Sequence, residues 1–374
     1  MSEAENIAEA DRLMTICNSC RYCEGLCAVF PAMELRRSFE TGDLDYLASL
    51  CHNCGACYSD CQFSPPHEFN VNIPRVMAEV RADSYRRHVW PAALKPMFDR
   101  TGMAVVFAAA ISVAGFVAGF VAFHDPAMLF STQTGSGAFY RLMPHDAMAW
   151  LFILLSVYVV VALGMSIGNY WRAIGGANVL AKPRATVQAL RDAFTLRYLG
   201  GGGQGCAEDA ETLSNRRKIF HHLTFYGFVL CFASTSVATV YHYVLGLEAP
   251  YPWYDLPVLL GLVGGVGLAV GPVGLVLAKY QRDQLLNDPA SMGMDNAFLA
   301  MLFCTGLTGL ALTAFRETPV MGILLAVHLG VVFALFVAMP YSKFVHGFYR
   351  IAALVHFHME QAEELDAAAA GADA

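Results

Sequence analysis

Residues 17–27, CNSCRYCEGLC, carry cysteines at i, i+3, i+6 and i+10, and residues 51–61, CHNCGACYSDC, repeat that spacing. Three thiolates three residues apart wrap one iron-sulfur cubane, while the fourth points away and ligates a neighbouring cluster. A doubled motif therefore reads as a reciprocal pair. One [4Fe-4S] cluster takes Cys17, Cys20, Cys23 and Cys61, and the other takes Cys51, Cys54, Cys57 and Cys27. Structural zinc also accepts four thiolates, but it usually takes them from two separated CxxC pairs. Ala28 and Gln62 stand where small bacterial ferredoxins have a proline after the fourth cysteine. Residues 28–50 between the motifs carry helical signals, which favours an α-helical ferredoxin domain.

Outward from the motifs, residues 1–80 read as that soluble helical domain. Helices are expected near 5–16 and 43–50, and another from about 73, where Asn72 is a suitable cap and Pro74 suits a first turn. Residues 81–101, basic and containing Trp90, read as a juxtamembrane connector at the cytoplasmic face. The 374-residue chain is 56% hydrophobic and only 15% charged, more apolar than soluble domains are. Residues 102–350 read as a six-span transmembrane domain with segments near 102–123, 147–170, 220–246, 255–279, 296–315 and 320–345, each long enough for a bilayer core.

Basic residues set the orientation. Arg86, Arg87, Lys95 and Arg100 precede the first span, and eight more arginines and lysines occupy the long loop 171–219. Lys279, Arg282, Lys343 and Arg350 flank later spans on the same side. This pattern puts both termini and the cysteine domain on the cytoplasmic side of the membrane. Gly115 with Gly119, and Gly261 with Gly265, have the small-xxx-small spacing of closely packed membrane helices. Residues 351–374 read as an acidic C-terminal tail, and for its acidic, Ala-rich part at 359–374 disorder or a frayed helix suffices. The net charge of −7 gives no basic surface for nucleic acid.

Ionisable side chains inside spans are costly and mark function. His221 and His222 open the third span, His242 closes it, His328 lies in the outer half of the sixth, and His346 is at its inner end. Antiparallel spans match an inner pair, His221 or His222 with His346, and an outer pair, His242 with His328, suited to one or two b-type haems. The 18 residues from His328 to His346 make about five helical turns, so both would share a face. His221 lies about 60° off the face of His242 and His222 about 160°, which favours His221. His52, His67, His88, His124, His145, His356 and His358 read as surface or interfacial. The glycine run at 200–205 reads as a flexible loop, since no strand precedes it, and Cys206 reads as an idle thiol.

The segments CRYCEGLCAVFPAMELRR, LCHNCGACYSDCQFSPPHEFNVNIP, RRKIFHHLTFYGFVLCFAST and PYSKFVHGFYR together resemble the tricarballylate (citrate) utilisation protein B family over nearly the whole chain. The resemblance implies an all-α fusion of an α-helical ferredoxin with a membrane part like the haem b (gamma) subunit of respiratory nitrate reductase. It also implies a partner, the FAD-dependent tricarballylate dehydrogenase, whose reduced flavin is reoxidised through two [4Fe-4S] clusters and haem b towards membrane quinone. A related arrangement serves a precorrin-3B-forming flavoprotein, which is an alternative partner. A non-catalytic redox-sensing membrane module and a transporter are the rival readings. The chain has no organic substrate site of its own in sequence.

Overall fold

The computed structural model describes residues 2–99, 101–123, 125–208 and 212–372; Arg100 and His124 lie outside the described residues. It is all-helical apart from one two-residue antiparallel pair. The cysteine domain holds α1 (Glu3–Cys20), α2 (Val29–Glu34), α3 (Thr41–Leu50), α4 (Ala56–Ser59) and α5 (Ile73–His88). The α1 helix starts at a capping box, with the Ser2 hydroxyl accepting from the Glu5 amide and the Glu5 carboxylate from Ser2. Its buried face is Asn6, Ala10, Leu13 and Met14, one helical stripe. The Asn72 side chain caps α5 by accepting from the Arg75 amide, with Pro74 in the first turn.

The α5 helix does not stop at the expected connector but runs to His88 and buries Arg81, Asp83, Ser84, Tyr85 and His88. Arg87 is ion-paired to Asp45 and Glu3, and Arg86 to Asp83. Two of the charges that served to orient the first span are therefore spent inside the fold. A short helix α6 (Pro96–Asp99) leads into the apolar region.

Six helices are long and apolar enough to cross a membrane. They are α7 (Thr101–Phe123), α8 (His145–Ala173), α10 (Arg216–Leu245), α11 (Leu256–Gln281), α12 (Met292–Ala314) and α13 (Met321–Ala338). Between α8 and α10 lie α9 (Pro183–Phe194) and the strand pair β1 (Cys206–Ala207) and β2 (Leu213–Ser214). The chain ends in α14 (His346–Ala372). Phe107, Ile111, Val160, Phe232 and Val263 point outward and are largely exposed, as lipid-facing residues should be.

The closest helix packing is between α10 and α11. A Cβ on Gly227 would lie 2.9 Å from the Leu268 amide nitrogen and 3.0 Å from the Gly264 carbonyl oxygen. Gly264, Gly267, Gly271 and Gly274 form the opposing stripe against Cys231, Leu223, Thr224 and Phe220. Of the two expected small-residue pairs, Gly261 and Gly265 do meet neighbours, at Ser234 and Leu310, whereas Gly115 and Gly119 face open space.

Two expectations fail at the C-terminus. Pro340 lacks an amide donor, and the sixth span gives way to a 3-10 turn at Met339–Tyr341, with Ser342 extended. His346 therefore starts a separate helix, and its five-turn relation to His328 does not exist. The following residues are no frayed tail as far as Glu360. Tyr349, Ala353, Leu354, Phe357 and Met359 are buried, and Glu360 binds Arg36 at 2.7 Å and the Tyr46 hydroxyl at 2.9 Å. Tyr349 also packs edge-on against Tyr85 and at a tilt against Tyr170, so one core joins the cysteine domain to α8 and α14.

Candidate functional site: two cysteine sets and a histidine pair

Cys17 and Cys20 end α1, Cys23 and Cys27 sit in the turn after it, and Cys61 follows α4. Tertiary folding brings Cys17, Cys20, Cys23 and Cys61 around one cavity of about 220 Å³, floored by Ile16, Phe30, Phe63 and Val71. These four sulfurs line one pocket. The first set lies at the surface: Cys20 is exposed and Tyr22 beside it is 74% exposed.

The second set lies deeper. Electrostatic neighbours of Cys27 are Cys54 and Cys51, and those of Cys57 are Cys54, Cys27 and Cys51, with Cys23 of the first set next. In the fold the last cysteine of each motif thus lies among the cysteines of the other. Enclosure pushes the thiols up, Cys17 to about 12 and Cys54 to about 11, with neighbouring cysteines adding to the effect. A bound metal cation would let four thiolates hold their charge in such a place.

Four arginines from separate parts of the chain converge on the backbone that carries Cys51. Arg81 of α5 donates to the Ala48 and Cys51 carbonyls at 3.1 and 2.6 Å. Arg350 of α14 donates to Ser49 and Cys51 at 3.2 and 2.8 Å. Arg282, just past α11, reaches the Asn53 carbonyl and its side-chain oxygen at 3.2 and 3.0 Å, and Arg217 of α10 donates to the same Asn53 carbonyl. Burial holds Arg282 down to about 10. Cations clustered in a poorly solvated place call for an anion nearby, and a thiolate-ligated cluster is one.

The glycine run is not a free loop. Gly201 packs where a Cβ would lie 2.4 Å from the Ala56 side chain, and a Cβ on Gly202 would lie 3.2 Å from the Gly25 carbonyl. Both have positive φ, +49° and +69°, which glycine adopts at little cost. The loop then continues into β1, where the Ala207 amide donates to the Cys54 carbonyl at 2.8 Å. Cys206 is buried against Cys54. Sequence reading missed this lid because its signal is contact with a distant motif.

Towards the membrane helices, His52 follows Cys51 directly and is buried, its Nδ1 donating to the Leu50 carbonyl at 3.0 Å. Desolvation first, then Arg350, Arg217 and His221, hold it well below the ordinary histidine range, so it is neutral. His52 is therefore not at the surface, and it has Cys51 as its chain neighbour and His221 among its electrostatic neighbours. His221 and His346 face each other with ring centroids 6.0 Å apart and planes at 77°. Two metal–imidazole bonds of about 2 Å laid end to end, plus half a ring at each side, span roughly that distance. His346 Nδ1 donates to the Lys343 carbonyl, which leaves Nε2 unprotonated for a metal. His222 packs beside Tyr226 instead.

The outer pair is not brought together. His242 stacks on His145, centroids 3.5 Å apart, within reach of Tyr140 and Tyr243, while the His328 ring hydrogen-bonds the Thr308 hydroxyl at 2.9 Å. Among the described residues no ring contact joins His242 to His328. Of the histidines read as surface or interfacial, His88 is buried against Asp45 and His356 against Glu360, and His358 is half-buried against Asp192.

Comparison with known proteins matches this architecture to one family. The model described as citrate utilization protein B matches residues 96–369, and the one described as the citrate utilization protein B Fer4-like domain matches residues 10–87. The chain belongs to the citrate utilization protein B family. It is 47% identical to the citrate utilization protein B of Escherichia coli over 367 residues, which is 97% of this chain and 95% of that protein. No solved structure matches it.

Proposed function

We propose that the chain is the membrane-bound electron-transfer member of a citrate or tricarballylate utilisation system. It reoxidises the reduced FAD of a partner tricarballylate dehydrogenase and delivers the electrons to membrane quinone. It sits in the bacterial inner membrane, with the cysteine domain and both termini cytoplasmic. Cys17, Cys20, Cys23 and Cys61 would hold one [4Fe-4S] cluster, Cys51, Cys54, Cys57 and Cys27 the other, and His221 with His346 a b-type haem. When bound, these groups supply one-electron carriers between a two-electron flavin and a quinone.

The observation that supports this reading is that one fold holds an exposed cysteine set, a second set beneath the glycine loop, and a buried His52 with His221 among its electrostatic neighbours, His221 in turn facing His346 at the start of α14. Each residue has its own part. The cysteines bind iron, the arginines hold the Cys51 backbone, the glycine loop excludes water from Cys54, and the Lys343 carbonyl orients His346. The test is the Cys17→Ser variant, assayed anaerobically with the reduced dehydrogenase and a soluble quinone analogue. The flavin should stay reduced; reoxidation at the wild-type rate would end the proposal.

A further inference from the structure

The two cysteine sets have opposite electrostatic surroundings. Among the described residues lining the first cavity, the charged one is Asp60, an acid whose charge acts on Cys23. The second set has Arg81, Arg217, Arg282 and Arg350 around the carbonyls of residues 48–53, with Arg81 and Arg282 buried and the other two half-buried. All of their hydrogen bonds to this segment go to carbonyl oxygens, which leaves the full positive charge beside the cysteines. Arg282 feels Cys54 and Arg350 feels Cys51 directly.

Reduction adds one electron and no proton to a group that already carries net negative charge. Fixed cations stabilise the reduced form and a fixed acid destabilises it, most strongly where water is excluded. We propose that Arg81, Arg217, Arg282 and Arg350 make the Cys51 set the more easily reduced of the two, so that the fold itself directs the electron from the Cys17 set inward. In that step the reduced Cys17 set loses one electron and the Cys51 set gains it, with the partner's flavin as reductant and quinone as final oxidant. The arginines are positioning and tuning residues that touch no substrate. The inference rests on the two-cluster reading above.

The experiment is a potentiometric titration of the purified full-length protein in detergent, followed by low-temperature electron paramagnetic resonance, with iron and sulfide measured on the same samples. Two cluster signals with separate midpoints are expected. Cys20→Ser should alter the lower-potential signal, which assigns it to the first set. Arg282→Gln should move the higher midpoint down and leave the lower one in place, and Arg282→Lys, which keeps the charge, should restore most of it. Equal midpoints, the reverse order, or no downward shift in Arg282→Gln overturn the inference while leaving the two clusters intact. Iron and sulfide for fewer than two clusters overturn the reading beneath it. If Arg282→Gln does not fold, the wild-type order assigned through Cys20→Ser still decides.

Discussion

The seating of the glycine loop on the second cysteine set can be measured with a single methyl group. In Gly201→Ala the new Cβ would lie 2.4 Å from the Ala56 Cβ, well inside contact distance, on a backbone with φ of +49°. Left-handed backbone costs an L residue about 1–2 kcal/mol, and overpacking a tight contact costs about 1–3 kcal/mol. The variant should therefore lose roughly 2–5 kcal/mol. The two contributions can be separated. Gly203 has φ of +106° with open space around its Cβ position, so Gly203→Ala carries backbone strain alone. Ala56→Gly removes the other half of the overlap at a cost of about 0.5–1 kcal/mol. In the double variant, Gly201→Ala with Ala56→Gly, about 1–3 kcal/mol should return as coupling energy. The assay is denaturant unfolding in detergent, followed by helical circular dichroism and by the visible absorbance of the second cluster. Additivity of the two substitutions within about 0.5 kcal/mol would refute the packing of this loop against Ala56.

Other consequences follow from the same geometry. Cys17 and Cys61 belong to one set and Cys17 and Cys27 to different sets, so Cys17→Ser with Cys61→Ser should lose no more iron than Cys17→Ser alone. Cys17→Ser with Cys27→Ser should lose the iron of both sets, and equal losses in the two double variants would break the reciprocal assignment. At Glu360, burial acts to raise the carboxyl, but hydrogen bonds from His356 and Arg36 outweigh it and hold the group below the usual glutamate range. A depressed carboxylate contributes its stability above the unfolded value and loses it as pH falls. Docking of α14 should therefore be complete at neutral pH and weaken below about pH 4.3, and Glu360→Gln should cost about 1.5–3 kcal/mol at pH 7. Proteolysis of the C-terminal helix across that range reads both effects, and a pH-independent cleavage rate would contradict them. In the membrane, Gly227→Val should separate α10 from α11 and lower thermal stability in detergent, whereas Gly115→Ala, with open space at its Cβ, should not.

The sequence revealed the parts that depend on local spacing. Cysteine intervals, apolar runs long enough for a bilayer and the Asn72 cap are all written within a few turns of chain. What was hidden depends on contacts between distant segments. Arg217, Arg282 and Arg350 read as topology signals, yet the structure turns them on the Cys51 backbone, more than 160 residues away in the chain. His52 read as a surface residue because no periodicity marks a loop as buried. Glu360 read as part of a tail because the acidic, alanine-rich run that follows it conceals its partners, Arg36 just past α2 and Tyr46 on α3. The extrapolation from His328 to His346 assumed an unbroken helix, and Pro340 had already supplied the reason for the break. His346 nevertheless meets His221, because α14 starts at the same end of the bundle where α10 begins.

The most direct measurement of the central claim is the composition of the purified protein: non-haem iron, acid-labile sulfide and a dithionite-reduced visible spectrum of the wild type beside His221→Ala and His222→Ala. The account predicts about eight non-haem irons with matching sulfide, and a b-type α-band that disappears in His221→Ala and survives in His222→Ala. Zinc in place of iron and sulfide, with no haem band in any of the three proteins, would contradict it.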